Sequence, residues 1–102
     1  MTSKTYKFKS EVWKYKFEGA TAWHFVTLPK DVSTEIKFLS TGKAAAWGSL
    51  RVAAQIGKTK WNTSLFPDSR SACYVLPVKA DVRKAEKLKD GTAVTCAITR
   101  ET

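Results

Sequence analysis

The chain has 102 residues, the length of one ordinary domain, so it can bury a core without disulfide or metal staples. Hydrophobic residues make up 43% and charged residues 26%, which excludes a disordered tail, and no stretch nears the ~20 apolar residues of a membrane span. Lysine and arginine number 18 against 9 acidic residues, a formal charge of +9 that favours polyanionic partners and says nothing of fold. Residues Met1 to Phe8 hold no apolar signal region, so a cytoplasmic protein without membrane contact is expected. The two cysteines, Cys73 and Cys96, are then expected as free thiols. With a single histidine, His24, and no Cys-x-x-Cys spacing, neither a metal nor a cofactor is expected.

Taken in order, Tyr6 to about Phe17 reads as a first strand. Tyr6, Phe8 and Val12 share one parity, whereas Trp13, Tyr15 and Phe17 share the other, so the inward face is expected to switch near Val12 through a bulge or a barrel corner. Glu18 to Thr21 form the connection. Trp23 to Leu28 is a second strand, ended by Pro29. The period then becomes helical, with Val32, Ile36 and Leu39 on one stripe, Asp31 as the expected N-cap and Gly42 as the stop. Alternation returns from Trp47, with Leu50, Val52, Ala54 and Ile56 inward. Gly57-Lys58 turns the chain into a hairpin partner carrying Trp61, Thr63 and Leu65 and closed by Pro67-Asp68. A strand over Ala72 to Val78 follows, then a helix capped at Asp81 and running through Val82, Ala85 and Leu88. Asp90-Gly91 opens the last strand, Thr92 to Thr99.

The order strand, proline, Asp-capped helix, strand occurs twice, with Leu28-Pro29 and Asp31-Val32 echoed by Leu76-Pro77 and Asp81-Val82. Two β-α-β halves related by a pseudo-twofold would close six strands into one barrel, and closure removes exposed strand edges. The expected fold is therefore mostly β: a single domain over residues 1–102, a closed six-stranded barrel with two short helices.

The segments Trp61-Asn62-Thr63-Ser64-Leu65-Phe66-Pro67, Tyr74-Val75-Leu76-Pro77-Val78-Lys79 and Val82-Arg83-Lys84-Ala85 resemble the domain of unknown function numbered 1905, and the likeness extends from Tyr6 to Ile98. It implies a small closed β-barrel with helices and no assigned activity. Where that family often has Gly-Asp before the last strand, this chain has Asp90-Gly91-Thr92. The second half, Tyr74 to Arg100, also resembles the swapped-hairpin unit of AbrB-type transcription factors, which implies a barrel strand arrangement and, by fold analogy alone, DNA binding.

Catalysis has little to work with. A nucleophilic triad would have to join His24 to Ser64 or Cys73, and no Gly-x-Ser-x-Gly, phosphate loop or dinucleotide fingerprint is present. His24 reads as a strand residue between Trp23 and Phe25. Trp13, Trp23, Trp47 and Trp61 read first as core, with Trp61, near the hairpin turn, best placed to stack on a ligand. Lys7, Lys9, Lys14 and Lys16 are expected to point outward from the first strand as a ridge that could follow a phosphate backbone, widened by Arg51, Lys58 and Lys60. The leading expectation is a non-enzymatic binding module for nucleic acid through that ridge. The alternative is a small-ligand or minor enzymatic site at the barrel mouth, near Trp61, Ser64 and Arg83.

Overall fold

The computed structural model describes residues 3–15, 23–40 and 48–101. Six strands, β1 (Ser3–Tyr15), β2 (Trp23–Thr27), β3 (Leu50–Ile56), β4 (Thr59–Asp68), β5 (Cys73–Pro77) and β6 (Ala93–Glu101), are joined by helices α1 (Lys30–Leu39) and α2 (Ala80–Glu86). The strands close into the barrel that the alternation anticipates, in the cyclic order β1-β2-β5-β4-β3-β6. Phe8, Val12, Val26, Leu50, Val52, Ala54, Ile56, Leu65, Leu76, Cys96 and Ile98 fill it, all buried.

The two long strands each serve two neighbours. Residues Ser3 to Glu11 of β1 pair with β6, and from Val12 onward the strand pairs with β2. Likewise β4 pairs with β3 up to Leu65 and with β5 from Phe66. The corner expected at Val12 is this handover, without a bulge: neither ladder of β1 contains an inserted residue. The inward face does not switch either. Val12 and its partner Val26 are both fully buried, so by alternation Trp13 and Tyr15 lie on the outer surface. The parity change in sequence marks the point where the strand runs past the core. The next inward position, Lys14, lies opposite His24 and is exposed, while the aromatics gather outside the barrel. There Trp13 packs on Phe25 at 5.0 Å between ring centroids and donates its Nε1–H to Thr27 Oγ1 at 2.8 Å. Trp23 stacks on Phe25 and is 53% exposed. Of the tryptophans described, Trp61 alone is core; Trp47, Phe17 and Gly42 lie outside the described residues.

The expected pseudo-twofold is realised, with a leading strand added to each half: β1-β2-α1-β3 and β4-β5-α2-β6. The pairs Trp13–Phe25, Lys14–His24 and Tyr15–Trp23 are matched by Phe66–Val75, Pro67–Tyr74 and Asp68–Cys73. At the axis, Leu28 N–H donates to Tyr74 O and Val78 N–H to His24 O, both at 2.9 Å. These reciprocal bonds make His24 the counterpart of Tyr74 and Leu28 that of Val78. Asp31-Val32 and Asp81-Val82 are therefore true equivalents. The Leu-Pro echo is not, because the counterpart of Pro29 is Lys79, while Pro77 sits in the β5 ladder opposite Phe25.

Each helix starts two residues earlier than an N-cap at its aspartate would place it. Pro29 and Lys79 occupy the N-cap positions without side-chain caps, and Asp31 and Asp81 fall in the first turns, where their charge complements the helix dipole. On α1 the inward stripe is Val32, Ser33 and Ile36 rather than one ending at Leu39, which is 39% exposed. The second helix stops at Glu86 because Lys87 adopts φ 56°, ψ 47°. Leu88 returns to the core beyond that cap, its N–H bonded to Arg83 O at 2.8 Å. Both helices tie to the free flank of a long strand. Glu35 of α1 meets Lys4 Nζ at 2.6 Å, and Glu86 of α2 accepts from Thr59 Oγ1, also at 2.6 Å. No helix among the described residues is long and apolar enough to cross a membrane.

Candidate functional site

Outward positions of β1, β6, β3 and β4 form one continuous face. Lys7 and Lys9 stand on β1, opposite Ala97 and Thr95 of β6; Gln55 of β3 lies opposite Ala97 on one side and Lys60 of β4 on the other. Arg51 and Lys58, at the two ends of β3, complete the far margin. All five cations are exposed, and between them the floor consists of Ala53, Thr95, Ala97 and Thr99. Small floor residues leave two shallow depressions. One of about 410 Å³ is lined by Arg51, Ala53, Asn62 and Thr99, the other of about 250 Å³ by Lys7, Gln55, Thr95 and Ala97. Acidic positions occur at the ends of the face, Glu11 opposite Ala93 and Glu101 opposite Ser3.

The ridge expected on β1 thus changes membership. Lys7 and Lys9 remain with Arg51, Lys58 and Lys60, but Lys14 lies on the inward parity of β1 opposite His24, because the face does not switch at Val12. Lys16 lies outside the described residues. Ser64, expected at the barrel mouth, points to the outer face, where its Oγ accepts from Arg51 Nη1 at 3.3 Å.

Trp61 and Arg83 do come together. The β4–β5 ladder begins only at Phe66, so Trp61 to Thr63 and Pro77 to Lys79 flank an unpaired seam. A pocket of about 250 Å³ opens there, lined by Trp23, His24, Trp61, Asn62, Thr63, Pro77, Val78, Lys79 and Arg83. Arg83 Nε–H donates to Val78 O at 3.2 Å, which fixes the guanidinium at the rim. His24 Nδ1 is buried and has no hydrogen-bond partner. Its pKa is lowered, first by burial and then by the positive charges of Arg83 and Lys14, with Asp90 opposing, so the ring is neutral at pH 7. Sequence reading took His24 for an ordinary strand residue and passed over Lys79. No local pattern marks either, since the seam depends on where a long-range ladder stops.

Elsewhere, burial and the neighbouring Glu35 push the Tyr6 phenol up to about 12, while Lys4 and Tyr6 hold the Glu35 carboxyl below its usual range. Both cysteines are free, as expected, and burial pushes the Cys96 thiol up to about 12. Cys73 lies opposite Asp68 at one end of β5 and His24 bonds Val78 beyond the other end, so neither Cys73 nor Ser64 is placed beside the imidazole. Among the described residues no three His, Cys, Asp or Glu side chains converge as metal ligands.

No curated protein matches the chain. The family model described as a domain of unknown function matches residues 8–98, which takes in the barrel from Phe8 to Ile98 with both helices, the seam and all of the basic face but Lys7 and Thr99, and the chain belongs to that family, DUF1905.

Proposed function

We propose that the barrel is a binding module for nucleic acid, held through its phosphate backbone on the outer face of β1, β6, β3 and β4. The observation that supports this most is the gathering of Lys7, Lys9, Arg51, Lys58 and Lys60 around a floor of alanine and threonine. Neighbouring strands lie ~4.8 Å apart and alternate residues of one strand ~7 Å apart, so the cations bracket a shallow channel about 14 Å across, three strand spacings wide. A protein partner or a bilayer would need large apolar anchors there, and the floor has none. Threonine hydroxyls and lysines suit phosphate oxygens, and no aromatic ring stands on the floor between the five cations, which removes base stacking there, so binding is independent of sequence.

Salt dependence tests this reading. Each phosphate neutralised contributes about 0.9 to the slope of log affinity against log salt on duplex DNA and about 0.7 on single strands. Changing Lys7, Lys9, Arg51 and Lys60 to Gln should therefore flatten the slope by about 3 to 4 on duplex, while Lys14→Gln leaves it unchanged. Absence of binding to duplex DNA, single strands and RNA at about 50 mM salt, or an unaltered slope in the quadruple variant, overturns the proposal.

A further inference from the structure

The seam pocket between β4 and β5 is chemically unlike the basic face. Trp61, whose side chain is core, Trp23, which is exposed, and Pro77 supply its apolar lining. Around them stand Arg83 and Lys79, neither of which has a carboxylate partner among the described residues. Arg83 spends only its Nε–H on Val78 O, leaving the two terminal nitrogens of the fork directed to the rim. Glu86, one helical turn beyond Arg83 on α2, accepts from Thr59 Oγ1 at 2.6 Å, and Asp90 accepts the Lys14 backbone N–H on its Oδ1 at 3.1 Å. Arg83 is half-buried and Lys79 exposed, and a half-buried cation without a counter-charge is costly unless something neutralises it.

The pseudo-equivalent seam in the first half is held by different chemistry, with a depression of about 520 Å³ beside Ser33, Cys73 and Tyr74. There Ser10 Oγ–H donates to Thr27 O at 3.0 Å, and Ser33 Oγ accepts the Tyr74 N–H at 3.0 Å, stitching β1, β2, α1 and β5 together. In the second half Ser10 is replaced by Thr63, Thr27 by Pro77, Ser33 by Arg83 and Tyr74 by His24. Thr63 makes no corresponding bridge among the described residues, and the seam stays open. The same architecture thus carries two serine bridges once and an arginine, a lysine, an imidazole and two indoles the other time.

The geometry points to a binding site for a small aromatic anion, with its ring between Trp23 and Trp61 and its carboxylate or phosphate on Arg83 and Lys79. The arginine fork matches either oxyanion with two hydrogen bonds. A His24 ring protonated on Nδ1 would supply a further donor and satisfy the one buried side-chain atom left without a partner among the described residues. A pocket of about 250 Å³ admits a single ring with one charged group.

Phenyl phosphate and benzoate are the probes, with phenol and inorganic phosphate as the separated halves, followed by the indole N–H and imidazole signals of Trp23, Trp61 and His24 in NMR titrations. Saturable shifts of these signals are expected from at least one aromatic anion, at least about tenfold tighter than from either half alone. Arg83→Gln should weaken that affinity at least about tenfold with the amide spectrum otherwise retained. Lys79→Gln, which changes an exposed side chain and keeps the N-cap carbonyl, should weaken it at least about threefold and decides the matter if Arg83→Gln unfolds. The quadruple change of Lys7, Lys9, Arg51 and Lys60 should leave it intact, which separates this site from the basic face. No saturable shift with either aromatic anion up to about 10 mM refutes the site. Equal binding of inorganic phosphate refutes the aromatic half, and unchanged affinity in both Arg83→Gln and Lys79→Gln refutes the cationic half.

Discussion

Ser33 is the sharpest test of how the closed seam is held, because a single oxygen does the work. It is 3% exposed, and its Oγ accepts the backbone N–H of Tyr74 at 3.0 Å across 41 residues of chain. Ser33→Ala leaves that N–H buried without a partner, a loss of about 1 to 3 kcal/mol. Alanine is the better helix former by about 0.5 kcal/mol, which opposes the loss without cancelling it. The net effect is a destabilisation of about 0.5 to 2.5 kcal/mol. With an unfolding entropy of about 2.1 cal/mol/K per residue, each kcal/mol moves the melting temperature of a chain this long by about 5 °C. A fall of about 2 to 12 °C is expected by far-UV circular dichroism, with a lower urea midpoint and an unchanged m-value. Thr34→Ala, at the exposed neighbouring position, changes helix propensity without touching the bond and should leave stability level or slightly higher. If Ser33→Ala melts at or above the parent temperature, the hydroxyl does not hold Tyr74, and the contrast between the two seams loses its first half.

Cys96 is fully buried with its thiol pushed up to about 12, whereas Cys73 is half-buried. Ellman's reagent at pH 8 should thus label Cys73 first in the native protein and Cys96 only on unfolding; two equally fast thiols would contradict the packing of β6. Glu35→Gln should lower the Tyr6 pKa from about 12 by removing the hydrogen bond and charge, while burial, the larger cause, keeps it above 10. Ultraviolet titration of the phenol reads this directly. The sign of the linkage follows: the native state keeps a proton that the unfolded chain releases, so the Tyr6 contribution to stability is whole below pH 10 and declines as pH rises from there toward 12.

What the sequence reveals follows the range of the interaction. Period-two alternation in Leu50 to Ile56, with Gly57-Lys58 at φ 58° on the glycine, fixes β3, its turn and β4, because each side chain needs only its neighbours to choose a face. The barrel itself is legible in the repeated strand–helix order. At Val12 the reading fails, since parity alone cannot distinguish a strand that bends its inner face from one that passes the end of the core and dresses its outer face with aromatics. That ambiguity carried Lys14 into the ridge. The helix starts shift by two residues because Pro29 and Lys79 cap without side-chain bonds, leaving Asp31 and Asp81 to act through charge. His24 was invisible as a site residue because its unpartnered nitrogen is a consequence of Arg83, Pro77 and Trp61 arriving from three other elements.

A barrel made of two matched halves separates architectural demands from others. Val32 and Val82, Val26 and Leu76, and Ile56 and Ile98 occupy equivalent, mostly buried positions, and they agree in character because the core imposes the same requirement twice. Phe8 and Trp61 also correspond, opposite Cys96 and Ala54, and there a larger ring is balanced by a smaller partner. At Ser10 and Thr63, Thr27 and Pro77, Ser33 and Arg83, and Tyr74 and His24 the halves disagree in chemistry. Because the first half meets the fold's needs with serine, threonine and tyrosine, nothing in the architecture requires arginine, histidine and an unstitched edge in the second. The chemistry of the seam therefore calls for a cause outside the barrel, and an anion held there supplies one.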